Sequence, residues 1–327
     1  MLVKRYTDLV GPLLHYSGSV RLWFSPSKWL YLRETPDGLV LIGGVTNTLK
    51  IVDKSNALIS WALRTDCEKF LALMMECKRG DGFFECEVSD LIAKLDVAKK
   101  EHTVILEEAG DTGHDSHSWV ESFVKATLGD NELRRLEILS KFPTDERAAN
   151  CVVAALAFFA EHNVRFISTE QRVYSKRLDV AGTMDGDILI DSCDNPACTC
   201  HQNTIMCGTP GAFKDARMVL DLKTSNGIWA TYLAQAALYR SAKVEEFFPE
   251  GDPYLGQLIL RLGKDNRQEF EPFFALGSAL YTAHLNFFEH ALALKQDVAD
   301  AESLLREIRD KGREIERQRR EEERRHR

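Results

Sequence analysis

The sequence predicts an α/β (α+β) protein: a mixed β-sheet core flanked by helices, with an N-terminal strand and helix extension and a long C-terminal helix. Three observations predict it. Strand-like runs follow one another at residues 164–174, 179–190 and 218–224, then a helical stretch covers 228 to about 244. Two more strand-like runs, 254–262 and 269–274, complete a set whose order suits a mixed sheet with helices on its faces. From residue 276 the chain reads as one long amphipathic helix that becomes nearly all charge after Arg306.

The earlier elements follow from local signals. Residues 20–24 and 29–33 flank a Ser-Pro-Ser turn, and Pro36-Asp37-Gly38 turns into a strand over 39–42. Ser55 is placed to cap a helix carrying Leu58, Trp61, Ala62, Phe70, Leu73 and Met74, with Gly80 as its stop. Further helices are expected over 88–100, around 116–128, and over 144–162. The last of these has Thr144 as its N-cap, and Asp145 and Glu146 at its positive end. Three regions result: an extension over 1–110, a core over 111–275 with a cysteine-rich insert at 192–216, and a C-terminal helix over 276–327.

The 327 residues suffice for one elaborated domain or two, and 44% hydrophobic with 28% charged residues is ordinary for a globular chain. A net charge of -8 argues against a protein that coats nucleic acid non-specifically. Any contact with DNA must then use local basic patches, such as Lys99-Lys100, Arg172, Lys176-Arg177 or Arg261 with Lys264. The most apolar stretch, 151–160, is far short of the about 20 residues that span a bilayer. Met1-Leu2-Val3-Lys4-Arg5 has no signal-peptide character, so the cytoplasm is the expected compartment and thiols are expected to stay reduced. No phosphate-binding Gly-x-x-x-x-Gly-Lys-Ser/Thr loop is present, which argues against ATP as a partner.

The segment Val219-Leu220-Asp221-Leu222-Lys223-Thr224 carries the chemistry. Side chains alternate along a strand, so Asp221 and Lys223 leave one face. Gln235 and Tyr239 are four apart on the next helix and share a face. Asp185, in Gly182-Thr183-Met184-Asp185-Gly186, adds a second carboxylate from a neighbouring strand. Two carboxylates and an ammonium at one point suit phosphodiester hydrolysis. Hard Mg²⁺ or Mn²⁺ ions prefer oxygen ligands, and a cation offsets phosphate charge while lowering the pKa of the attacking water. Asp187 is read as a peripheral carboxylate on the strand face of Asp185.

These phrases occur in the order of a known family. The sequence resembles the RecB-like branch of the PD-(D/E)XK nucleases, in particular the stand-alone exonucleases of bacteriophages. Gly113, His117 and Glu121 are similar to the family's Gly-x-x-x-His-x-x-x-Glu helix, and Glu170-Gln171-Arg172-Val173-Tyr174-Ser175 to the strand before the catalytic one. Residues 180–185 and 219–224 match the core, and Gln235 with Tyr239 matches the closing Gln-x-x-x-Tyr. Gly44 to Leu49, with Lys54, Trp61 and Ala62, is like the first helix of the phage enzymes.

The resemblance implies a restriction-endonuclease-like core and a DNA exonuclease serving recombination, repair or DNA turnover in the host cytoplasm. It implies Asp185, Asp221, the Leu222 carbonyl and His117 as metal ligands, with His114 as a rival to His117. Lys223 would act on the water, Gln235 and Tyr239 would support the centre or contact DNA, and Glu170 would belong to the site. The residue two before Lys223 is aspartate here, where many relatives have glutamate. A homo-oligomer or a recombination-protein partner fits this setting. A structure-specific endonuclease, or a non-catalytic DNA-binding or zinc-stabilised interaction module, is the alternative.

Eight cysteines remain to be explained. Cys193, Cys198, Cys200 and Cys207, with His201 as an alternative ligand, form a candidate zinc loop between the two catalytic strands. Cys67, Cys77, Cys86 and Cys151 adjoin apolar stretches and read as core residues.

Overall fold

The structure, a computed structural model, describes residues 7–52, 55–79, 84–190, 215–266 and 269–325. The cysteine-rich loop with Cys193, Cys198, Cys200, His201 and Cys207 lies outside these residues. Strands β1 (Val10–His15), β2 (Val20–Ser25), β3 (Leu30–Thr35) and β4 (Gly38–Leu41) form an antiparallel meander. Alternation buries Leu22 and Phe24 of β2 in a small core with Tyr31, Ile42, Tyr174 and Ala181, so this sheet rests on the main one. Two hydrogen bonds from Arg33 to Asp179, and one between Tyr31 and Thr183, fix the two sheets together.

The two-residue strand β5 (Gly43–Gly44) leads into α1 (Val45–Leu49), α2 (Ser55–Met75), α3 (Val88–Ala98), α4 (Glu101–Leu128), α5 (Glu132–Ser140) and α6 (Glu146–Glu161). The main sheet then forms from β6 (Val164–Ser175), β7 (Val180–Ile190), β8 (Ala216–Lys223), β9 (Gly256–Leu262) and β10 (Phe270–Leu276). Helix α7 (Ala230–Phe247) crosses from β8 to its parallel neighbour β9, and α8 (Ser278–Arg325) closes the chain. Pairings β6–β7, β7–β8 and β9–β10 are antiparallel, which makes the sheet mixed. One face buries Trp119 and Val120 of α4 and Cys151, Val152 and Phe158 of α6 against Ile188, Leu220 and Leu258. The other buries Leu238 and Tyr239 of α7 and Phe288 of α8 against Met184, Val219 and Ile259. No helix among the described residues is long and apolar enough to cross a membrane.

Several local expectations are corrected. Asp145, one residue after Thr144, caps α6 by accepting from the Ala148 N–H at 2.7 Å. Its charge and extended backbone win the contest between adjacent caps. Helix α5 has no counterpart in the sequence reading; Asn131 caps it by accepting from the Arg134 N–H. Helix α4 begins at Glu101, well before residue 116, and runs through Gly110 and Gly113. A helical glycine costs about 1 kcal/mol relative to alanine, and at Gly113 close packing explains its presence. A Cβ there would stand 3.0 Å from Thr224 Oγ1, so its absence lets α4 approach the end of β8. Ser55 is the first helical residue of α2. In that helix Trp61, Ala62, Phe70, Leu73 and Met74 are only half-buried, and Leu58 is exposed.

Of the four cysteines read as core residues, Cys151 alone is buried, whereas Cys67 is exposed and Cys77 and Cys86 are half-exposed. Adjacency to apolar residues in the sequence did not place them inside, because α2, which carries Cys67, and α3, which with α2 flanks Cys77 and Cys86, are themselves thinly covered.

Gly182 of β7 is a second close approach. A Cβ there would meet Tyr239 Cε1 at 2.5 Å and Val45 Cγ2 at 2.8 Å. Substitution Gly182→Ala is therefore expected to destabilise by about 1–3 kcal/mol through overpacking, read from urea unfolding at fixed pH.

Candidate active site

The site begins where β7 and β8 part. They pair from Ile190↔Ala216 to Gly186↔Leu220. Beyond Leu220, β8 continues beside β9 only, through Asp221↔Ile259 to Lys223↔Arg261. The starting end of β7 is taken on that edge by β5, at Val180 and Ala181. A gap therefore opens in the sheet, with Asp185 on one side and Asp221 to Lys223 on the other. The Leu222 N–H donates across it to Asp185 Oδ2 at 2.7 Å. N–H and C=O of one strand residue leave on the same edge, so the Leu222 carbonyl also faces the gap. As the alternation requires, Lys223 sits beside Asp221, with Nζ 2.6 Å from Oδ2.

Two other elements supply the remaining groups. Helix α4 brings His117, whose Nδ1 lies 3.8 Å from Asp185 Oδ2. Strand β6 brings Glu170, which adopts φ +48° within the strand. Such a backbone costs a non-glycine residue about 1–3 kcal/mol and persists only where its surroundings hold it. Here the pairs Thr169↔Gly186 and Gln171↔Met184 clamp it on both sides, and Thr169 Oγ1 donates to the Asp185 carbonyl at 2.8 Å. Ligand-type atoms of His117, Glu170 and Asp185 all lie within 4.8 Å of one another. Asp221 stands behind this trio, fully buried and in contact with Lys223.

Helix α7 forms the floor. Gln235 Nε2 donates to Tyr239 Oη at 2.7 Å, and both line the cleft. Tyr239 is buried against Gly182, which fixes where the pair sits. Tyr232 of the same helix places its ring 5.0 Å below the Lys223 ammonium.

The electrostatics are those of a site with surplus negative charge. Burial raises the Asp185 carboxyl, with Lys223 and the Leu222 N–H opposing the rise. Burial also pushes Asp221 up to about 6, against the pull of Lys223 and with further push from Asp185. Glu170 is pushed up to about 8 by burial, then by Asp185 and Glu121. Burial, and after it the Lys223 ammonium, lowers His117 to about 4, which leaves the imidazole neutral at pH 7 and able to bind a cation. Among the described residues, Oδ1 of buried Asp221 has no hydrogen-bond partner, and its Oδ2 meets only the Lys223 ammonium. A buried carboxylate with so few partners suits a hard divalent cation, and the oxygen and imidazole donors fit Mg²⁺ or Mn²⁺.

The cleft in front of these groups has a volume of about 610 Å³. Its walls come from α4 (His114, His117, Glu121, Lys125) and from the N-terminal sheet (Phe24, Pro26, Trp29). His114 thus shares the cleft but stands outside the trio of His117, Glu170 and Asp185. Of the basic patches, Arg172 lines the cleft, stacked 4.6 Å from the Phe24 ring centroid. Lys99 is engaged with Asp96, Arg177 with Glu289, and Arg261 with Glu271. The walls from Pro26 and Trp29 were invisible in the sequence, since nothing local marks them as neighbours of Asp185.

Asp187 does not join Asp185. Arg217 donates to it at 2.9 and 2.7 Å, Tyr254 Oη donates at 2.9 Å, and Lys243 lies at 3.5 Å. The shared strand face expected for the two aspartates is not observed: Asp185 turns to His117 of α4, whereas Asp187 turns to Lys243 of α7. Asp187 is thereby a paired structural anion.

These features define a mixed α/β protein with a carboxylate-rich cleft at a split in its sheet. The chain matches no protein-family model, and no curated protein matches it.

One consequence concerns stability without metal. Asp221 holds its proton more tightly when folded, so its stabilising contribution is complete below its ordinary value of 3.8. That contribution is lost as pH rises through about 6. In chelator, wild-type unfolding free energy should fall across that window by roughly 3 kcal/mol from this group. Asp221→Asn should flatten that slope in urea titrations at several pH values, whatever its effect on the absolute level.

Proposed function

We propose that the protein is a divalent-metal-dependent DNA exonuclease of the RecB-like kind, using Mg²⁺ or Mn²⁺. The observation that carries this reading is the gap between β7 and β8. It gathers Asp185, Asp221 and Lys223 with His117 and Glu170, and among the described residues leaves the buried Asp221 carboxylate with the Lys223 ammonium as its sole polar contact. His117, Asp185 and Glu170 would hold a cation at the cleft, with Asp221 and the Leu222 carbonyl completing the oxygen donors from behind.

When bound, the cation supplies neutralising charge to the phosphate and makes water a better nucleophile at neutral pH. The chain's own groups do the rest. Lys223 keeps its ammonium, because Asp221 and Asp185 outweigh the cost of its burial. That positive charge orients the attacking water and offsets the charge that develops on phosphorus oxygens. Arg172 lines the cleft, and its guanidinium would supply charge there to a substrate phosphate. Gln235 and Tyr239 hold the floor of the site through their mutual hydrogen bond. The setting that suits such an enzyme is recombination, repair or DNA turnover in the cytoplasm of a phage-infected cell, alone or with a recombination partner.

The test is degradation of end-labelled linear DNA and closed circular DNA with Mg²⁺ or Mn²⁺. Wild type should consume linear DNA and spare circles. Lys223→Ala should lower kcat by at least about 100-fold, as loss of a transition-state electrostatic contact does. Cleavage of circles would assign an endonuclease instead. Absence of any cleavage by folded protein would reject the enzymatic reading.

A further inference from the structure

A second cluster of metal-binding side chains lies away from the cleft, at the turn between α2 and α3. Cys77 follows the end of α2, Cys86 precedes α3, and Asp90 stands in the first turn of α3. The Cys86 thiol donates to Asp90 Oδ2 at 2.9 Å, and the Cys77 thiol to the same oxygen at 3.9 Å. All three donor atoms lie within 4.8 Å of one another. The backbone sets this up before any side chain acts. A bridge pairs Lys78 with Phe84, and the Glu85 N–H donates to the Cys77 carbonyl at 3.0 Å, which brings the two cysteine segments side by side.

We infer that Cys77, Cys86 and Asp90 form a binding site for a soft divalent cation, with zinc as the metal and water in the fourth position. Zinc bonds of about 2.3 Å to sulfur and 2.0–2.2 Å to oxygen put neighbouring ligand atoms of a tetrahedron roughly 3.3–3.8 Å apart. The thiol–carboxylate separations of 2.9 and 3.9 Å bracket that spacing. Two thiolates and a carboxylate exceed the charge of the ion by one. Lys94, one turn along α3 from Asp90, brings an ammonium to this same turn, where it pairs with Glu76 at 3.0 Å, and the exposed position of Asp90 leaves the remaining charge to solvent. Thiolate ligands select zinc over the Mg²⁺ or Mn²⁺ proposed for the cleft, so the two sites draw on different metals.

The place also needs a cross-link. Among described residues 58–97 no side chain is fully buried, and Leu58, Leu63, Leu71, Leu91 and Leu95 are exposed. A helical hairpin that buries so little apolar surface gains little from packing, and metal ligation supplies the missing free energy directly. A Cys77–Cys86 disulfide is the rival staple. It gives Asp90 no role, although that carboxylate accepts from both thiols.

The test uses the full chain, expressed with added zinc and purified under reducing conditions without chelator. Because Cys193, Cys198, Cys200 and Cys207 offer further thiols, the reading is the difference between variants and not the total. The Cys77→Ser/Cys86→Ser double variant should carry about one zinc fewer by elemental analysis, and should lose part of the thiolate-to-metal charge-transfer absorption after cobalt substitution. Asp90→Asn neutralises an exposed carboxylate at nearly constant shape and so provides a reading even if the double variant fails to fold. It should weaken zinc at this site at least about tenfold in competition with a chromophoric chelator. An unchanged zinc count in the folded double variant overturns the proposal. So does unchanged affinity in Asp90→Asn, or recovery of a Cys77–Cys86 disulfide from protein alkylated at lysis.

Discussion

The organisation of this protein depends on one break in β-sheet pairing. If β7 and β8 stayed paired past Gly186 and Leu220, the Leu222 N–H would be spent on the ladder and Asp185 would lie flat within a sheet. Because they part, that N–H turns to the Asp185 carboxylate, and a gap opens that solvent or a ligand can reach from α4. Only the edges that face the gap give up ladder hydrogen bonds. The far edge of β8 stays with β9, and the opened edge of β7 is covered at its start by β5. The two glycines of β5 are narrow enough to enter beside Val180, so the N-terminal extension is part of the frame of the site.

The charges in the gap explain why so much structure is arranged around it. Three carboxylates, Asp221 buried and Asp185 and Glu170 half-buried, are all raised above their ordinary range, one ammonium is shared by the two aspartates, and Glu170 sits in a strained backbone. None of this stabilises the fold by itself. It persists because the flanking ladder, the Thr169 hydroxyl and the α4 contact at Gly113 leave these groups no alternative position. Asp187 offers the contrast, two residues away: with an arginine, a lysine and a tyrosine around it, its charge is fully answered.

The N-terminal meander has a comparable double role. Arg33 with Asp179 and Tyr31 with Thr183 tie it to the start of β7, and that attachment carries Pro26 and Trp29 to the mouth of the cleft. Helices α2 and α3 are different. Helix α2 leans on α4 through Asp66 with His102 and Lys69 with Glu101, polar links that hold position without making a core. The cysteine–carboxylate cluster sits at the tip of this thinly packed part of the molecule.

Much of this was legible in the sequence. The succession of strands along the chain, the helix after β8, the shared face of Asp221 and Lys223, and the common helical face of Gln235 and Tyr239 all follow from periods of 2 and 3.6, which act over a few residues. So does the long terminal helix. Tertiary structure decided what depends on distant partners. The split between β7 and β8, the left-handed turn at Glu170, the reversal of Asp187 into a paired anion and the Pro26–Trp29 wall arise from registers and contacts between segments far apart in the chain. The buried state of Cys151 beside the exposed Cys67 belongs to the same class. Local pattern sets which way a side chain leaves its own element. Only packing determines what it then meets.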